Sequence, residues 1–264
     1  FYIILILIAV SLFTGENIEL DREAKRPGLF ANPNNLSLIS LSFLFLIDDN
    51  RDSKIGIVST HLLVTTILLF SATMGAILAY LGGLLFKHRY VIFRSKYFYF
   101  VLPFFLLLIF LTPYLNFGRF YFFNKLVNQF YVINNYFLNV VTMQKIDYGV
   151  LVTQYGSSAL SGIWRLEFWS TILYEVAHAD YLQFLFGHGI GSALDMYGNL
   201  PHNEYLRILS EQGLIGLVMT LAFYLTIYFR LLTNYRYLIL IFALFSFTEN
   251  NLDNFLYMSL LMLF

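Results

Sequence analysis

Residues 55–86 read IGIVSTHLLVTTILLFSATMGAILAYLGGLLF and contain no Asp, Glu, Lys or Arg. A helix that crosses a bilayer upright needs about 20 apolar residues, so this run is too long for one span. The residues Ser71-Ala72-Thr73-Met74-Gly75 in its middle suit a tight turn, because Ser and Gly are common where a chain reverses. We therefore predict a hairpin of two transmembrane helices.

The composition of the whole chain indicates a membrane protein. Of its 264 residues, 59% are apolar and 12% are charged, whereas soluble domains carry about 25% charged residues. The other apolar runs are Phe1–Phe13, Leu36–Ile47, Tyr97–Thr112, Leu214–Phe229, Tyr237–Phe247 and Phe255–Phe264. Because the backbone must satisfy its own hydrogen bonds in lipid, these runs predict an all-α fold, a polytopic transmembrane helical bundle. We expect residues 1–264 to form a single membrane domain, and the start inside an apolar run at Phe1 predicts that N-terminal helices are missing.

Basic side chains fall on one side of the predicted spans. They are Arg51, Lys54, Lys87, Arg89, Arg94, Lys96, Arg230 and Arg236. Short cytoplasmic loops carry the excess of Lys and Arg, so this side is expected to be cytoplasmic. The opposite side holds residues 14–35, 113–212 and 249–254, which include the polar residues available for chemistry. Sixteen basic and sixteen acidic side chains balance to zero, so no overall field favours nucleic acid.

The extracytoplasmic stretch 113–212 is crowded with aromatic residues between positions 117 and 137. Arg119 and Lys125 lie among them, a pattern that favours an interfacial amphipathic helix at the level of the lipid headgroups. Stacking on sugar rings is the alternative use for these aromatics. We expect the stretch to be a loop region that lies on the membrane surface and carries the active site.

The most specific motif is residues 201–216, PHNEYLRILSEQGLIG. Pro201 and Asn203 suit the start of a helix. Gly213 and Gly216 let the chain bend or pack closely as it enters the next span. A neutral imidazole at His202 can accept or pass a proton near pH 7.

Four shorter motifs accompany this segment. They are Arg26–Asn34 (RPGLFANPN), Arg165–Trp169 (RLEFW), Phe186–Gly191 (FGHGIG) and Phe247-Thr248-Glu249. In this order, and with residues 201–216, they resemble the O-antigen ligase and O-antigen polymerase family of bacterial membrane glycosyltransferases. Ligases and polymerases share these motifs, so the kind of acceptor and the sugar stay open. One position departs from the family: relatives often have Ser-Arg-Gly at the outer turn of the hairpin, where this chain has Thr73-Met74-Gly75.

The resemblance implies transfer of an oligosaccharide from an undecaprenyl-diphosphate carrier to a glycan or lipid A-core acceptor, outside the bacterial inner membrane. No metal and no cofactor are expected. Arg165 suits the departing diphosphate, because a guanidinium pairs bidentately with phosphate oxygens, and His202 suits the acceptor proton. We expect these two residues to be catalytic. Further substrate contacts are expected from Asn203, Trp169, Arg119, Arg26, Arg207 and Glu249, and Arg119, Arg26 or Arg207 would replace the missing hairpin arginine.

Each of these residues also has a purely structural interpretation. His202 could cap its helix, Arg165 could anchor at the interface beside Trp169, and Glu249 could be a polar residue at a helix end. We interpret Gly187–Gly191 as a flexible turn rather than a nucleotide site, because no strand precedes it.

A transporter or flippase for lipid-linked sugars is the functional alternative from another class. Transporters usually carry polar sites at mid-membrane, whereas the predicted spans hold almost no ionisable residue apart from His61. A structural membrane scaffold leaves the His202 and Arg165 motifs unexplained.

Overall fold

The computed structural model describes residues 18–20, 23–25, 33–48, 54–71, 73–94, 121–233 and 235–250. Two three-residue strands, β1 (Ile18–Leu20) and β2 (Glu23–Lys25), pair antiparallel. The helices are α1 (Pro33–Asp48), α2 (Lys54–Ser71), α3 (Met74–Lys87), α4 (Arg89–Arg94), α5 (Tyr121–Val141), α6 (Tyr148–Tyr155), α7 (Ser157–His178), α8 (Tyr181–Phe186), α9 (Ser192–Tyr197), α10 (Glu204–Arg230) and α11 (Arg236–Phe245). Apart from this short β-hairpin, every described element is a helix, and the prediction of an all-α fold is confirmed.

The hairpin predicted over residues 55–86 is present. Helix α2 ends at Ser71 and α3 begins at Met74. The Nδ1 atom of His61 lies 2.7 Å from the hydroxyl oxygen of Tyr80, so the two helices run side by side. His61 is thus part of the packing between them.

Small residues on α3 allow the end of α11 to approach closely. A Cβ atom at Gly75 would lie 1.8 Å from Thr248 Oγ1, and one at Gly83 would lie 2.2 Å from the Ile241 side chain. Gly75, Ala79 and Gly83 are spaced four residues apart, the pattern that lets two helices pack through their backbones. The hairpin turn therefore lies against the residue that precedes Glu249.

Helix α11 is the centre of the first hydrophobic core. Tyr237, Phe242 and Phe245 are each 2% exposed or less. They pack with buried residues of α1, α2, α3 and the second half of α10. Each of these large side chains makes many van der Waals contacts, so they are a large part of what holds the bundle together in water or in lipid.

Helices α5, α6 and α7 form a second core within the stretch predicted as a loop region. Val132 and Val140 of α5 pack with Leu151 of α6 and with Leu160 and Ile163 of α7. The sequence predicted an amphipathic helix here, and α5 is one, with Val132 and Val140 buried on one side and Asn134 and Asn135 exposed on the other. Between residues 121 and 212 the region is a folded helical layer rather than an irregular loop.

Basic residues collect at the end of the bundle opposite the hairpin turn. Lys87 Nζ lies 4.3 Å from the ring centre of Tyr237, and the guanidinium of Arg236 lies 5.2 Å from that of Tyr228. Helix α3 separates this end from Gly75 by about 20 Å, at roughly 1.5 Å per residue. The turn, Thr248 and the start of α10 are together at the other end, since the backbone N–H of Glu204 donates to the carbonyl of Ser246 at 2.8 Å.

One helix in the described part of the chain, α10, is long and apolar enough to cross a membrane. In its most apolar window, 22% of the residues are buried within the protein. Helices α3 and α11 are apolar but shorter. The runs predicted as spans at 1–13, 97–112 and 255–264 lie outside the described residues, so the multi-span topology stays a prediction.

Candidate active site

Asn203 starts helix α10. Its side chain accepts a hydrogen bond from the backbone N–H of Leu206 at 3.1 Å, and its own N–H donates to Asn250 Oδ1 at 3.2 Å. The helix start predicted from Pro201 and Asn203 is confirmed. His202, immediately before this cap, has a φ of 48°. A left-handed backbone at a residue other than glycine costs about 1–2 kcal/mol, and the cap on one side and Pro201 on the other hold His202 in it.

Glu249 joins the two residues that were predicted from the sequence to be catalytic. Its Oε2 lies 3.3 Å from His202 Nδ1, and its Oε1 lies 3.4 Å from Arg165 Nη2. Arg165 is on α7, His202 precedes α10 and Glu249 follows α11. The side chains of Arg165 and His202 are 25% and 42% exposed, whereas that of Glu249 is 12% exposed. Three distant segments thus form one cluster that reaches the surface.

The carboxylate of Glu249 determines the tautomer of His202. An ionised carboxylate only accepts hydrogen bonds, so the imidazole donates from Nδ1 and leaves Nε2 as a proton acceptor. Among the described residues, Nε2 has no hydrogen-bond partner. The pair is therefore arranged for His202 to take a proton at Nε2 while Glu249 stabilises the resulting imidazolium.

Two tryptophans of α7 hold the His202 segment in place. Trp169 Nε1 donates to the carbonyl of Pro201 at 2.8 Å. The ring of Trp164 contacts the His202 imidazole edge to face, with 5.9 Å between ring centres. Trp169, predicted to bind substrate, is seen here as an anchor for the residue next to His202.

Two clefts open beside this cluster. The first, of about 390 Å³, is lined by Leu194, Asn199, Leu200, His202, Glu249 and Asn250. The second, of about 180 Å³, is lined by Trp164, Glu167, Phe168, Thr171, Tyr197 and Asn199. Asn199 lines both, so the clefts are neighbours.

The Gly187–Gly191 turn is tied to a break in α10. Gly213 has a φ of 66° and a ψ of −166°, which interrupts the helix at the bend predicted there. The carbonyls of Ser210 and Glu211, freed by the break, accept hydrogen bonds from the N–H groups of His188 at 3.0 Å and Gly189 at 2.8 Å. These bonds attach the first residues of the turn to α10, and the predicted flexibility of the turn stays a prediction.

Tyrosine hydroxyls hold two carboxylates near the second cleft. Tyr197 donates to Glu175 Oε2 at 2.5 Å, and burial together with this bond raises the pKa of Tyr197 to about 12. Tyr148 donates to Glu167, and burial followed by that contact raises the pKa of Tyr148 well above its usual value. Both hydroxyls therefore stay protonated at neutral pH, where they act as donors.

Arg207 and Asn203, the other predicted site residues that the structure describes, have structural partners within the protein. Arg207 is 7% exposed, and its Nε donates to Oε1 of the fully buried Glu204 at 3.1 Å. Asn203 is 3% exposed and its side chain caps α10. Arg26 and Arg119 lie outside the described residues.

Sequence reasoning did not single out Trp164, Glu167, Asn199 or Asn250. The available signal was the helical spacing of Trp164, Phe168 and Thr171, which places them on one face of α7. In the described ranges, no group of three or more His, Cys, Asp or Glu side chains is arranged to hold a metal ion.

Comparison with known proteins gives no match to a family model, to a curated protein or to a solved structure. The geometry and the motifs are therefore the basis for the function proposed below.

Proposed function

We propose that the protein is a multi-pass membrane glycosyltransferase related to the O-antigen ligases and polymerases. It would transfer an undecaprenyl-diphosphate-linked oligosaccharide to a hydroxyl of a glycan or lipid A-core acceptor, at the outer face of the bacterial inner membrane. The observation that carries this proposal is the meeting of Arg165, Glu249 and His202 in one cluster of side chains. These residues belong to three motifs that are far apart in the sequence, and packing alone gives no reason for them to share a site.

Exposed apolar surface supports the membrane setting. Val218, Met219 and Phe229 of α10 are 55%, 68% and 67% exposed, and Leu78 of α3 is 65% exposed. A water-soluble protein rarely leaves so much apolar helix surface uncovered, whereas lipid covers it without cost. The basic residues at one end of the bundle and the cluster at the other end fit a cytoplasmic and an external face respectively.

The proposed reaction is a displacement at the anomeric carbon of the donor sugar. His202 Nε2 takes the proton of the acceptor hydroxyl as its oxygen forms the bond to that carbon. The bond from the carbon to the diphosphate oxygen breaks, and its electron pair leaves with the diphosphate. Glu249 keeps the imidazole oriented and balances the charge that it gains.

Arg165 is the group proposed to receive the departing diphosphate. Its contact with Glu249, at 3.4 Å, is longer than the 2.7–2.9 Å typical of a charge-assisted hydrogen bond. A guanidinium has five N–H donors in a planar fork, so phosphate oxygens can be bound while this weak contact is kept. The developing negative charge is stabilised most strongly where water is scarce, as it is beside the largely buried Glu249.

The hairpin turn is close to this cluster, because Gly75 packs on Thr248, which is bonded to Glu249 in the chain. This is the position at which the O-antigen ligase and polymerase family often has an arginine and this chain has Met74. In the proposed enzyme, Arg165 supplies the cationic charge, with Arg26 and Arg119 as further candidates from outside the described residues.

The proposal is tested in a strain that lacks the gene and is complemented with the full-length gene or a variant. The surface glycan is analysed on gels, and undecaprenyl-linked intermediates are analysed by mass spectrometry. We expect His202→Ala and Arg165→Leu to abolish the mature glycan while the protein is inserted at the level of the wild type.

The intermediates then identify the reaction. Long polymers that remain on the carrier at the outer face indicate a ligase, and single repeat units at that face or on the final acceptor indicate a polymerase. Carrier-linked units trapped on the cytoplasmic face would overturn the enzyme proposal in favour of a flippase. A normal surface glycan in both variants would overturn it as well.

A further inference from the structure

The second cleft is built by one face of α7 and the segment after α9. Trp164, Phe168 and Thr171 recur at helical spacing, with Glu167 beside them, and Tyr197 and Asn199 close the other side. Arg165 and Trp169 belong to the neighbouring face of the same helix, which contacts Glu249 and Pro201. Helix α7 therefore turns one face to the proposed reaction centre and the next face to a separate cleft.

Aromatic rings form the walls of this cleft. The ring centres of Trp164 and Phe168 are 5.2 Å apart, and those of Phe168 and Tyr197 are 5.4 Å apart in an edge-to-face contact. Such rings present flat apolar surfaces with few rotatable bonds, so little entropy is lost when they bind a ligand. The C–H face of a pyranose ring is also flat and apolar, so it can stack on these rings.

Polar groups in the cleft suit hydroxyl groups rather than anions. Glu167 accepts a hydrogen bond from Tyr148, which holds the carboxylate in place. A carboxylate accepts hydrogen bonds from neutral hydroxyls and repels phosphate, unless cations neutralise it as Arg165 neutralises Glu249. Asn199 adds an amide that can both donate and accept. The volume of about 180 Å³ is below the roughly 300–1,000 Å³ of pockets that enclose drug-sized ligands, and it suits a single ring.

The geometry points to a sugar subsite in this cleft that holds the terminal ring of the acceptor glycan. The subsite rests on the proposed transferase function, because the bound ring is assigned as the acceptor from the position of the cleft beside His202. Trp164 contacts the His202 imidazole, and Asn199 lines both clefts. A ring held against Trp164 can present a hydroxyl to His202, while Arg165 and the diphosphate occupy the side of Glu249.

The two tryptophans of the chain allow a direct binding test. Trp169→Phe leaves Trp164 as the fluorescent reporter in the cleft, and Trp164→Phe leaves Trp169, which is bonded to Pro201. Each variant is purified in lipid nanodiscs and titrated with two probes released from the same cells by mild acid, the repeat-unit oligosaccharide and the core oligosaccharide. We expect one probe to give a saturable change in Trp169→Phe emission and no change in Trp164→Phe emission.

Substitutions in the Trp169→Phe background separate this cleft from the His202 cleft. Glu167→Gln is expected to weaken binding about tenfold or more, the size expected for hydrogen bonds to a charged group. His202→Ala is expected to leave the affinity within about twofold. Asp180→Asn, which removes an exposed carboxylate outside the cleft, is the matched control for Glu167→Gln and should have no effect.

The possible results test the sugar subsite and the proposed transferase function separately. Saturable binding at Trp164 in a protein that transfers no sugar would support the subsite and overturn the proposed transferase. Transfer by the wild type, with neither probe changing Trp164 emission and with Glu167→Gln leaving the acceptor KM unchanged, would overturn the subsite and leave the transferase. Binding that is lost in His202→Ala but retained in Glu167→Gln would place the sugar in the other cleft and overturn the assignment.

Discussion

Glu249 Oε2 lies 3.3 Å from His202 Nδ1, although the two residues are 47 positions apart in the chain. The same carboxylate contacts Arg165 through its other oxygen. A nearly buried carboxylate between an imidazole and a guanidinium orients both, because it satisfies one donor on each. Glu249 is thus assigned a positioning role in the proposed reaction.

Glu249→Gln tests this positioning role. The amide keeps the shape of the side chain but removes the charge that stabilises the His202 imidazolium. We expect the transfer rate to fall about 100- to 10,000-fold, the range for losing the action of a positioned general base, with little change in the acceptor KM. Transfer is measured with purified protein and lipid-linked donor, and Asp195→Asn, an exposed carboxylate on α9, serves as the control. An unchanged rate in Glu249→Gln would contradict the role.

Arg207→Leu and Arg165→Leu each remove one cation, and each variant serves as the control for the other. Loss of Arg207 removes a partner of Glu204, whose side chain is fully buried, and breaking such a pair costs about 3–5 kcal/mol. Arg207→Leu should therefore lower the thermal midpoint and the amount of inserted protein. Arg165, at 25% exposure, should be replaceable without loss of folding, and transfer should fall about 100- to 1,000-fold. A stable but inactive Arg207→Leu variant would instead assign Arg207 to the substrate.

Local features of the fold could be predicted from the sequence. The hairpin break near Thr73, the cap at Asn203 and the bend at Gly213 are each determined by a few neighbouring residues. Residues of the proposed site were also found in motifs, as with His202 and Arg165. Their contacts were not predictable, because the bridge through Glu249 joins segments separated by 84 and 47 positions and depends on how α7 packs beside α10 and α11.

Two other predictions concern residues whose contacts the sequence does not display. Arg207 was expected at the substrate because a cation near a motif suits phosphate, but it lies three residues from Glu204 on α10 and pairs with it inside the protein. The Gly187–Gly191 turn was expected to be flexible because of its glycines. Its partners, the carbonyls of Ser210 and Glu211, become available only through the break at Gly213.

The free energy of unfolding should decrease at alkaline pH because of Tyr197. An unfolded tyrosine ionises near pH 10.0, whereas burial and the bond to Glu175 raise the pKa of Tyr197 to about 12 in the folded protein. The folded state therefore keeps a proton that the unfolded state releases. The contribution is fully present below pH 10 and is lost as the pH rises to about 12.

Denaturant unfolding at pH 9 and at pH 11.5 measures this contribution. The free energy of unfolding should fall less between these two values in Tyr197→Phe than in the wild type, because phenylalanine has no proton to lose. Glu175→Gln should also reduce the fall, since it removes the charge that disfavours ionisation. An equal fall in all three proteins would show that Tyr197 contributes nothing to it.

Substitution of Gly187 or Gly213 should destabilise the protein more than substitution of Gly191 in the same region. Both combine a positive φ with a ψ near −167°, a conformation that residues with a Cβ almost never adopt. A Cβ at Gly187 would lie 2.3 Å from the carbonyl carbon of Glu211, and one at Gly213 would lie 2.3 Å from that of Leu185. Since each overlap is with backbone, no side chain can move aside to relieve it.

Alanine at either position should therefore separate the 187–191 turn from α10. Gly191→Ala is the control, because Gly191 has a φ of 85° and a left-handed conformation but no atom within 4 Å of an added Cβ. We expect Gly191→Ala to lower the free energy of unfolding by about 1–2 kcal/mol, through its left-handed backbone alone. Alanine at Gly187 or Gly213 should lower the free energy of unfolding by about 1–3 kcal/mol more than the control does, because its Cβ overlaps the backbone. Thermal unfolding in detergent and the rate of proteolysis between residues 186 and 192 measure the difference, and equal values for the three variants would mean that the close contact does not hold the turn.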